Sequence, residues 1–353
     1  MPGSPLVSVI IPVYQVRDYL DECLDSILGQ TVTDVEVIAV DGGSADGSAD
    51  LLDVRASRDG RLRVLHLDRI GPGPARNAGL SQATGQYVWF ADGDDALAPG
   101  SLAAVADRLR REAPDVLLID YDYLFPDGST GSSPGASLLR GVPAGGLTLA
   151  QRPDLITLAM TVWSKVMRRE FLLALQQPFP DGIHEDVPVS CAALLGAAKI
   201  SVESRVCYRY RQSRPGSFMI QSTEAHFDIF RSYREVFDLV AKRLADGDTT
   251  ITGPVRTALF ERAIWHYTTI LGTGGWGIGR LGGSGLVPRR LYRRFFTMMH
   301  EDFLKYRPEG YRLPGGARGA KFRLIERSAY WTYVVLEPVN RLRVRLGQTL
   351  RRS

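Results

Sequence analysis

The chain has 353 residues, of which 44% are hydrophobic and 23% charged, and its formal net charge is +4. This length and composition allow a full core in one large domain or two, which argues against a disordered or low-complexity protein. Its three cysteines lack paired or metal-type spacing, and no apolar run reaches membrane-spanning length, which argues against a disulfide scaffold and an integral membrane protein. The apolar run at 6–14 lacks the features of a signal peptide, so we expect a cytoplasmic protein.

Apolar runs alternate with helical patterns through the first 120 residues. Strands are predicted over 6–12, 35–40, 62–67, 87–90 and 116–119. Helices are predicted after Gln15, after Asp46, from Pro74 to about Gly85, and over 99–112. Strict alternation of this kind predicts an α/β fold whose strands run parallel.

The rest of the chain changes character. Residues 127–146 are rich in Gly, Ser and Pro and predict a mobile loop, and 200–211 alternates in a way that predicts a hairpin. A helix is predicted over 187–198. From residue 222 aromatic side chains recur at helical spacing, with helices predicted over 253–271 and 289–306, and the tail from Arg312 is strongly basic.

Three carboxylates crowd the end of the strand predicted at 87–90, in the sequence Asp92-Gly93-Asp94-Asp95. Carboxylates this close repel one another, and burying them without a partner is costly. Hard oxygen ligands suit Mg²⁺ or Mn²⁺, and the glycine lets the backbone turn tightly and a ligand approach it. A plain surface turn would have the same composition. Both interpretations stay open on these residues alone.

Polar side chains follow three of the predicted strands at the point where each ends. These are Tyr14, Asp41 and Asp92. Ligands of open α/β sheets bind beyond the carboxyl ends of the strands, so the sequence predicts a binding site at this edge. A dinucleotide-binding Rossmann domain is disfavoured because Pro12-Val13-Tyr14, without glycine, follows the first strand, and no Walker A sequence is present.

Five short stretches together resemble glycosyltransferase family 2, whose members have the GT-A fold. They occur in the family's order and approximate spacing, over about residues 5–215: Pro12-Val-Tyr14, Asp41–Asp46, Ala75–Gly79, Asp92–Asp95 and Glu185-Asp186. The resemblance implies a Rossmann-like sheet with helices on both faces, followed by a helical C-terminal region. One departure is Gly42, where the family usually has a second consecutive Asp.

The resemblance implies a nucleotide-sugar site at the sheet edge. Pro12 and Tyr14 would flank the base, and Asp41 would accept hydrogen bonds from base or ribose. Arg76 would lie near the nucleotide, with a helix-surface arginine as the alternative. The Arg-rich loop that closes over the diphosphate in relatives is matched here by Arg211, Arg214 and Ser217.

The acidic cluster acquires a role by the same resemblance. Asp92 and Asp94 match the family's Asp-X-Asp pair around Gly93, in which Asp94 would ligate Mn²⁺ or Mg²⁺ directly. Asp92 would hold the ribose, or the metal indirectly. Such a metal bridges the diphosphate and neutralises charge as the nucleotide leaves.

On the acceptor side the resemblance assigns Asp186 as general base, with Glu185 in support. A sugar hydroxyl is a poor nucleophile and needs a carboxylate to take its proton. Helix capping is the alternative, because acidic residues are favoured at a helix start. Trp163 and Lys165, in a stretch similar to the family's Trp-Asn-Lys, would line or support this side. His184 would also lie on this side, with a structural role favoured over that of a metal ligand.

The combined prediction is an inverting, metal-dependent glycosyltransferase. It would move a sugar from a nucleoside-diphosphate sugar, UDP-linked in the simplest case, to a hydroxyl of a cell-surface glycopolymer or lipid-linked acceptor. The Gln-x-x-Arg-Trp sequence of processive members is absent, which favours single additions. The chain resembles bacterial enzymes that decorate cell-surface polymers, including modules fused to teichoic-acid glycerophosphotransferases. A non-catalytic nucleotide-sugar-binding module of a larger synthase is the alternative.

Three parts are predicted: a catalytic domain over 1–220, a helical region over 221–310 and a basic tail or linker over 311–353. Basic residues flank the aromatic stretch 330–336, which allows peripheral binding at the inner face of the membrane, or packing and oligomer formation. No nucleic-acid-binding module accompanies the tail, so nucleic acid is not an expected partner.

Overall fold

The computed structural model describes residues 4–142, 145–158, 161–214, 221–272 and 286–336. Contacts divide the chain into two compact units, Met1–Gln212 and Ser213–Ser353. The division predicted from the sequence, at 220 and 310, remains a prediction.

The first unit is a nine-stranded sheet with helices. Its strands are β1 (Val7–Val13), β2 (Val35–Asp41), β3 (Leu62–His66), β4 (Tyr87–Phe90), β5 (Ala96–Leu97), β6 (Val116–Leu124), β7 (Thr130–Ser132), β8 (Lys165–Arg168) and β9 (Ile200–Arg211). Its helices are α1 (Arg17–Leu28), α2 (Ser48–Ala56), α3 (Pro72–Gln82), α4 (Ser101–Glu112), α5 (Ala136–Leu139), α6 (Arg169–Ala174) and α7 (Asp186–Gly196).

The strand order is β3-β2-β1-β4-β8-β6-β9-β5, with β7 paired to β6. The first four strands are parallel, as predicted, but β8 runs antiparallel to both of its neighbours. The strand predicted at 116–119, here part of β6, points the same way as β4, because both run antiparallel to β8. The five predicted strands are therefore parallel as expected, and β8 is an antiparallel strand that the sequence pattern did not predict. The chain enters β8 from a long irregular connection rather than a crossover helix, and only the latter enforces a parallel strand.

The central strands are buried on both faces. Val9 and Ile11 of β1 share a core with Leu20 and Leu24 of α1, and all four are fully buried. The opposite face of β1 packs against α3, where a Cβ on Gly79 would lie 2.4 Å from Ile10 Cγ2. Continuous apolar runs, rather than alternating ones, are what burial on two faces requires.

Two local predictions are wrong. Residues 200–211 form one long strand beside β6, with an irregularity in register near Asp120, and not a hairpin. Burial along this strand does not alternate, since 200–203 and 207–208 are buried while 204–205 are exposed, and residue spacing alone does not reveal whether the chain reverses. The segment 127–146, predicted as a loop, contains β7 and the single-turn helix α5.

The second unit is helical, with α8 (Asp228–Ala245), α9 (Gly253–Gly272), α10 (Tyr292–Tyr306) and α11 (Gly316–Glu326). Phe322 and Ile325 of α11 are fully buried, and the Phe296 and Tyr333 rings lie 5.1 Å apart between centroids. Part of the segment predicted as a basic tail is therefore folded onto α10. Among the described residues, no helix has the length and apolarity needed to cross a membrane.

Candidate functional site

The parallel strands end together at one edge of the first unit. Val13 at the end of β1 is in register with Asp41 at the end of β2, and Ile10 of β1 pairs with Phe90 at the end of β4. The chain leaves β4 at Ala91, whose N–H still bonds the Ile10 carbonyl at 2.9 Å. The acidic cluster therefore begins one residue beyond the sheet.

The acidic residues form a tight turn, here called the Asp92–Asp95 turn, closed by a 3.1 Å bond from Asp95 N to the Asp92 carbonyl. Its carboxylates are not equivalent. Asp95 is 2% exposed and faces inward, while Asp92 and Asp94 are partly exposed. Burial, followed by repulsion from Asp94 and Asp92, raises the pKa of Asp95 well above its ordinary value. The three carboxylates are adjacent in the sequence, but in the fold only those of Asp92 and Asp94 reach solvent.

Strand β9 holds this turn from inside. The Tyr208 hydroxyl accepts a 3.0 Å bond from Asp92 N–H and donates a 2.8 Å bond to Asp95 Oδ2. Arg211 donates from its backbone to Asp95 Oδ1 and from Nε to the Asp94 carbonyl, both at 2.8 Å. Its Nη2 also bonds Glu22 Oε2 at 2.6 Å. Tyr208 and Glu22 were not found from the sequence, because residues far apart in the chain give no spacing signal.

Arg76 joins the Asp92–Asp95 turn to Glu185. It lies on α3, is 4% exposed, and pairs with Asp92 Oδ1 at 2.7 Å and with Glu185 Oε1. Burial alone would lower the pKa of Arg76, but Asp92, Glu185 and Asp186 outweigh it and the pKa rises. The alternative of a surface arginine is wrong. The guanidinium holds the two acidic stretches together as a buried ion bridge.

Asp186 is the first residue of α7 and is half-buried beside Glu185, which is 7% exposed. Burial and then Glu185 raise the pKa of Asp186 to about 7, against the lowering effects of Arg76 and Lys165. A carboxyl that titrates near neutral pH can accept a proton from a hydroxyl at working pH. Two residues before Asp186, His184 is buried with φ of 61°, a strained left-handed conformation for a residue other than glycine.

Helix α3 also fixes the segment that leads to these acids. Asn77 Nδ2 donates to the Phe179 carbonyl at 2.8 Å, and Phe179 N–H donates back to Asn77 Oδ1 at 3.0 Å. At Gly73 a Cβ would lie 2.2 Å from the Pro180 carbonyl oxygen, so the segment lies directly on the helix backbone. In the sequence, Asn77 belongs to the stretch Ala75–Gly79, but no pattern shows that its side chain binds Phe179.

At the same edge of the sheet, Asp41 is 3% exposed and accepts a 3.1 Å bond from Ser44 N–H. His66 Nδ1 lies 3.5 Å from Asp41 Oδ2, and hydrogen bonds to Asp53 and Asp41 raise the pKa of His66. Pro12 is half-buried and Tyr14 is 50% exposed. The fold explains why position 42 is a glycine and not the second Asp usual in the family. A Cβ at this position would lie 2.8 Å from the Ile70 carbonyl oxygen.

Trp163 and Lys165 are buried, at 4% and 1% exposure. The Trp163 ring stacks on Tyr208 with centroids 4.6 Å apart, and Lys165 Nζ donates to the Thr161 carbonyl at 2.8 Å. These contacts favour support of the site over direct lining of it. Arg214 is partly exposed, and Ser217 lies outside the described residues.

The fold thus brings Arg76, Asp92, Glu185 and Asp186 into one charged group, with Asp94 adjacent on the turn. Within the described ranges, no group of three or more His, Cys, Asp or Glu side chains forms a metal site. The partly exposed carboxylates of Asp92 and Asp94 would suit a Mg²⁺ or Mn²⁺ ion whose other ligands come from substrate phosphates and water.

Comparison with known proteins agrees with this architecture. The family model described as glycosyl transferase family 2 matches residues 8–173. The uncharacterized glycosyltransferase EpsJ of Bacillus subtilis (strain 168) is 30% identical over 212 residues, which are 59% of this chain and 62% of that protein. The chain therefore spans less than two thirds of the length of this relative.

Solved structures show the same fold. S. aureus TarS 1–349 superposes with a TM-score of 0.69 at 21% identity, covering 95% of this chain and 91% of that chain. Its complex with UDP-GlcNAc gives 0.67 at 23% identity, again covering 95% and 91%. The mannosyltransferase PcManGT from Pyrobaculum calidifontis, in complex with GDP-Man and Mn²⁺, gives 0.51 at 18% identity, covering 97% and 88%. The expected GT-A fold with a helical C-terminal region is confirmed.

Proposed function

We propose that this chain, whose residues 8–173 form a glycosyl transferase family 2 domain, is an inverting and metal-dependent enzyme acting on a nucleotide sugar. The observation that carries the proposal is the arrangement in which Arg76 joins Asp92, at the carboxyl edge of the sheet, to Glu185, with the half-buried Asp186 next to Glu185 at the start of α7. Burial and Glu185 raise the pKa of Asp186 to about 7, which suits a general base. If Asp186 only capped helix α7, it would not need to be partly buried next to a second carboxyl group, Glu185.

The reaction would be a single displacement. The acceptor hydroxyl oxygen attacks the anomeric carbon of the donor, and its proton passes to the Asp186 carboxylate. The bond between that carbon and the diphosphate oxygen breaks, and the nucleoside diphosphate leaves with the bonding electrons. Attack from the face opposite the leaving group inverts the configuration. Glu185 raises the proton affinity of Asp186 and Arg76 lowers it.

Asp94 and Asp92 would hold the divalent cation, whose chemical contribution when bound is to neutralise charge on the departing diphosphate. Asp92 is paired to Arg76, which fits an indirect role, and Asp94, partly exposed on the turn, would be the direct ligand. Pro12, Tyr14 and Asp41 would receive the nucleoside, and Arg211 and Arg214 the diphosphate. These assignments rest on the site's position at the carboxyl edge of the sheet.

The donor we propose is UDP-linked, because S. aureus TarS 1–349, which has the same fold and covers 95% of this chain, has been solved with UDP-GlcNAc. The acceptor we propose is a hydroxyl of a cell-surface glycopolymer or of a lipid-linked precursor, at the inner face of the membrane. Both proposals concern the whole protein, of which this chain could be a part.

A non-catalytic nucleotide-sugar-binding module is the second candidate, and the same neutral-range carboxyl argues against it. Nucleotide release from a panel of nucleotide sugars, with Mn²⁺ or with EDTA, tests the proposal. We expect slow donor hydrolysis that EDTA abolishes and Mn²⁺ or Mg²⁺ restores, and a fall of about 100-fold in Asp94→Ala. Full activity in chelator would show that the metal assignment is wrong. Metal-dependent donor binding without turnover would favour the binding module.

A further inference from the structure

Tyr208 is a fully buried tyrosine on β9 that touches the Asp92–Asp95 turn at both of its ends. Its hydroxyl accepts from Asp92 N–H at 3.0 Å and donates to Asp95 Oδ2 at 2.8 Å. A tyrosine hydroxyl has one proton to donate and lone pairs to accept, so both of its capacities are used in this one turn.

No other described hydrogen bond replaces these two. The second oxygen of Asp95 is occupied by the Arg211 backbone N–H at 2.8 Å. Removing the Tyr208 hydroxyl would leave a backbone donor and a buried carboxylate oxygen without their partner, which is the costly case for hydrogen bonds. The ring itself is fixed, because it stacks on Trp163 at 4.6 Å with an angle of 9° between planes.

We infer that Tyr208 is a positioning residue, which holds the Asp92–Asp95 turn in the shape that presents Asp94 and Asp92 to the donor's metal and diphosphate. The inference rests on the proposed function for the role of the turn. Asp94 lies between the two residues that Tyr208 holds, and its carbonyl is bonded by Arg211 Nε at 2.8 Å. Trp163 would then support the turn indirectly, because its ring stacks on that of Tyr208.

Groups that orient metal ligands typically affect metal affinity by about 10- to 100-fold. Tyr208→Phe should therefore weaken the binding of UDP in the presence of Mn²⁺ by about that factor, while binding of UDP in EDTA changes little. A residue with a merely structural role would lower thermal stability without separating these two affinities.

The chain offers a matched control in Tyr87. It is 1% exposed on β4, and its hydroxyl has no hydrogen-bond partner among the described residues. Tyr87→Phe removes the same atom from the same kind of environment, so it should leave both affinities unchanged. Asp95→Asn is a second probe of the turn, because it keeps the size of the side chain but retains only one of the two acceptors.

The experiment combines calorimetric titration of UDP, with Mn²⁺ or with EDTA, and amide hydrogen exchange over residues 90–96. We expect Tyr208→Phe and Asp95→Asn to weaken Mn²⁺-dependent binding and to speed exchange at the Asp92 amide, and Tyr87→Phe to do neither. Wild-type Mn²⁺-dependent affinity in folded Tyr208→Phe, or an equal loss in Tyr87→Phe, would overturn the inference. If Tyr208→Phe does not fold, Asp95→Asn decides in the same way.

Failure of the proposed function gives a different result. Wild-type protein would then show no Mn²⁺-dependent UDP binding, and amide exchange alone would decide whether Tyr208 holds the turn. Unchanged exchange at Asp92 in Tyr208→Phe would overturn the positioning role in that case also.

Discussion

At the scale of single residues, Asp186 shows how neighbours set the chemistry of a side chain. Burial and Glu185 favour its protonated form, while Arg76 and Lys165 favour the charged form, and the balance places the pKa at about 7. The first-turn position on α7 adds the favourable end of the helix dipole. The same carboxyl in water would titrate near 3.9 and be a weaker base.

The pH dependence of turnover follows from this value. Only ionised Asp186 can accept the hydroxyl proton, so kcat/KM should fall about tenfold per pH unit below pH 7 and level off above it. Asp186→Asn keeps the shape and removes the acceptor, so transfer should fall by roughly 10²- to 10⁴-fold with donor affinity nearly unchanged. If the variant loses donor binding but keeps its rate at saturation, Asp186 belongs to the nucleotide site instead.

The same residue should oppose stability. The pKa of Asp186 is higher in the folded than in the unfolded protein, so the folded protein binds this proton more tightly. The resulting stabilisation of the fold is complete below about pH 4 and is lost as the pH rises through about 7. Asp186→Asn should therefore raise the thermal midpoint at pH 8, by the equivalent of about 1–3 kcal/mol. The difference from wild type should vanish near pH 4. A variant less stable than wild type at pH 8 would contradict this account.

At the scale of elements, helix α3 contacts each of the parts that form the site. One face packs on β1 through Gly79, Arg76 bridges the acidic groups, and Asn77 and Gly73 hold the segment that leads to Glu185. A helix backbone is rigid, so this close approach sets the distance between the two acidic stretches.

Gly73→Ala tests that distance. The added Cβ would meet the Pro180 carbonyl oxygen at 2.2 Å and Glu185 Cγ at 3.3 Å, so the segment must move. We expect a loss of about 1–3 kcal/mol in stability and a fall in turnover, measured by thermal unfolding and by donor hydrolysis. Gly71→Ala, two residues earlier with φ of −77° and no atom within 4 Å, is the matched control and should change stability by less than about 0.5 kcal/mol. Equal effects of the two substitutions would refute the close-packing argument.

At the scale of the whole molecule, the second unit carries an exposed apolar surface beside basic residues. Trp331, Val335 and Leu336 are 71%, 68% and 48% exposed, and Tyr333 between them is buried. Positions 331 and 335 share a helix face. Cationic residues near apolar ones are attracted to anionic membrane surfaces, and a lipid-linked acceptor would give such attraction a purpose. Packing against a second copy is the competing explanation.

Because α11 is folded, truncation near residue 310 would damage the unit, and point substitutions are the better test. Trp331→Ser with Val335→Ser should weaken co-sedimentation with anionic vesicles at least fivefold, and wild-type binding should weaken with salt. Leu304→Ser, which removes a 52% exposed side chain from α10, is the control and should not matter. Absence of vesicle binding by wild type, with self-association lost in the double variant, would favour the oligomer.

Local sequence pattern is enough to predict the α/β alternation, the parallel strands 7–13, 35–41 and 62–66, and the convergence of Asp41 and Asp92 on one edge. These follow from local periodicity and from the geometry of parallel sheets, which act over neighbouring residues. Only the folded structure reveals that Asp95 turns inward to Tyr208, that Arg76 is a buried bridge, and that 200–211 is one strand. The first two depend on partners more than 100 residues away in the chain, and the third on β6, more than 80 residues away. Burial and pairing across such separations leave no mark in local spacing.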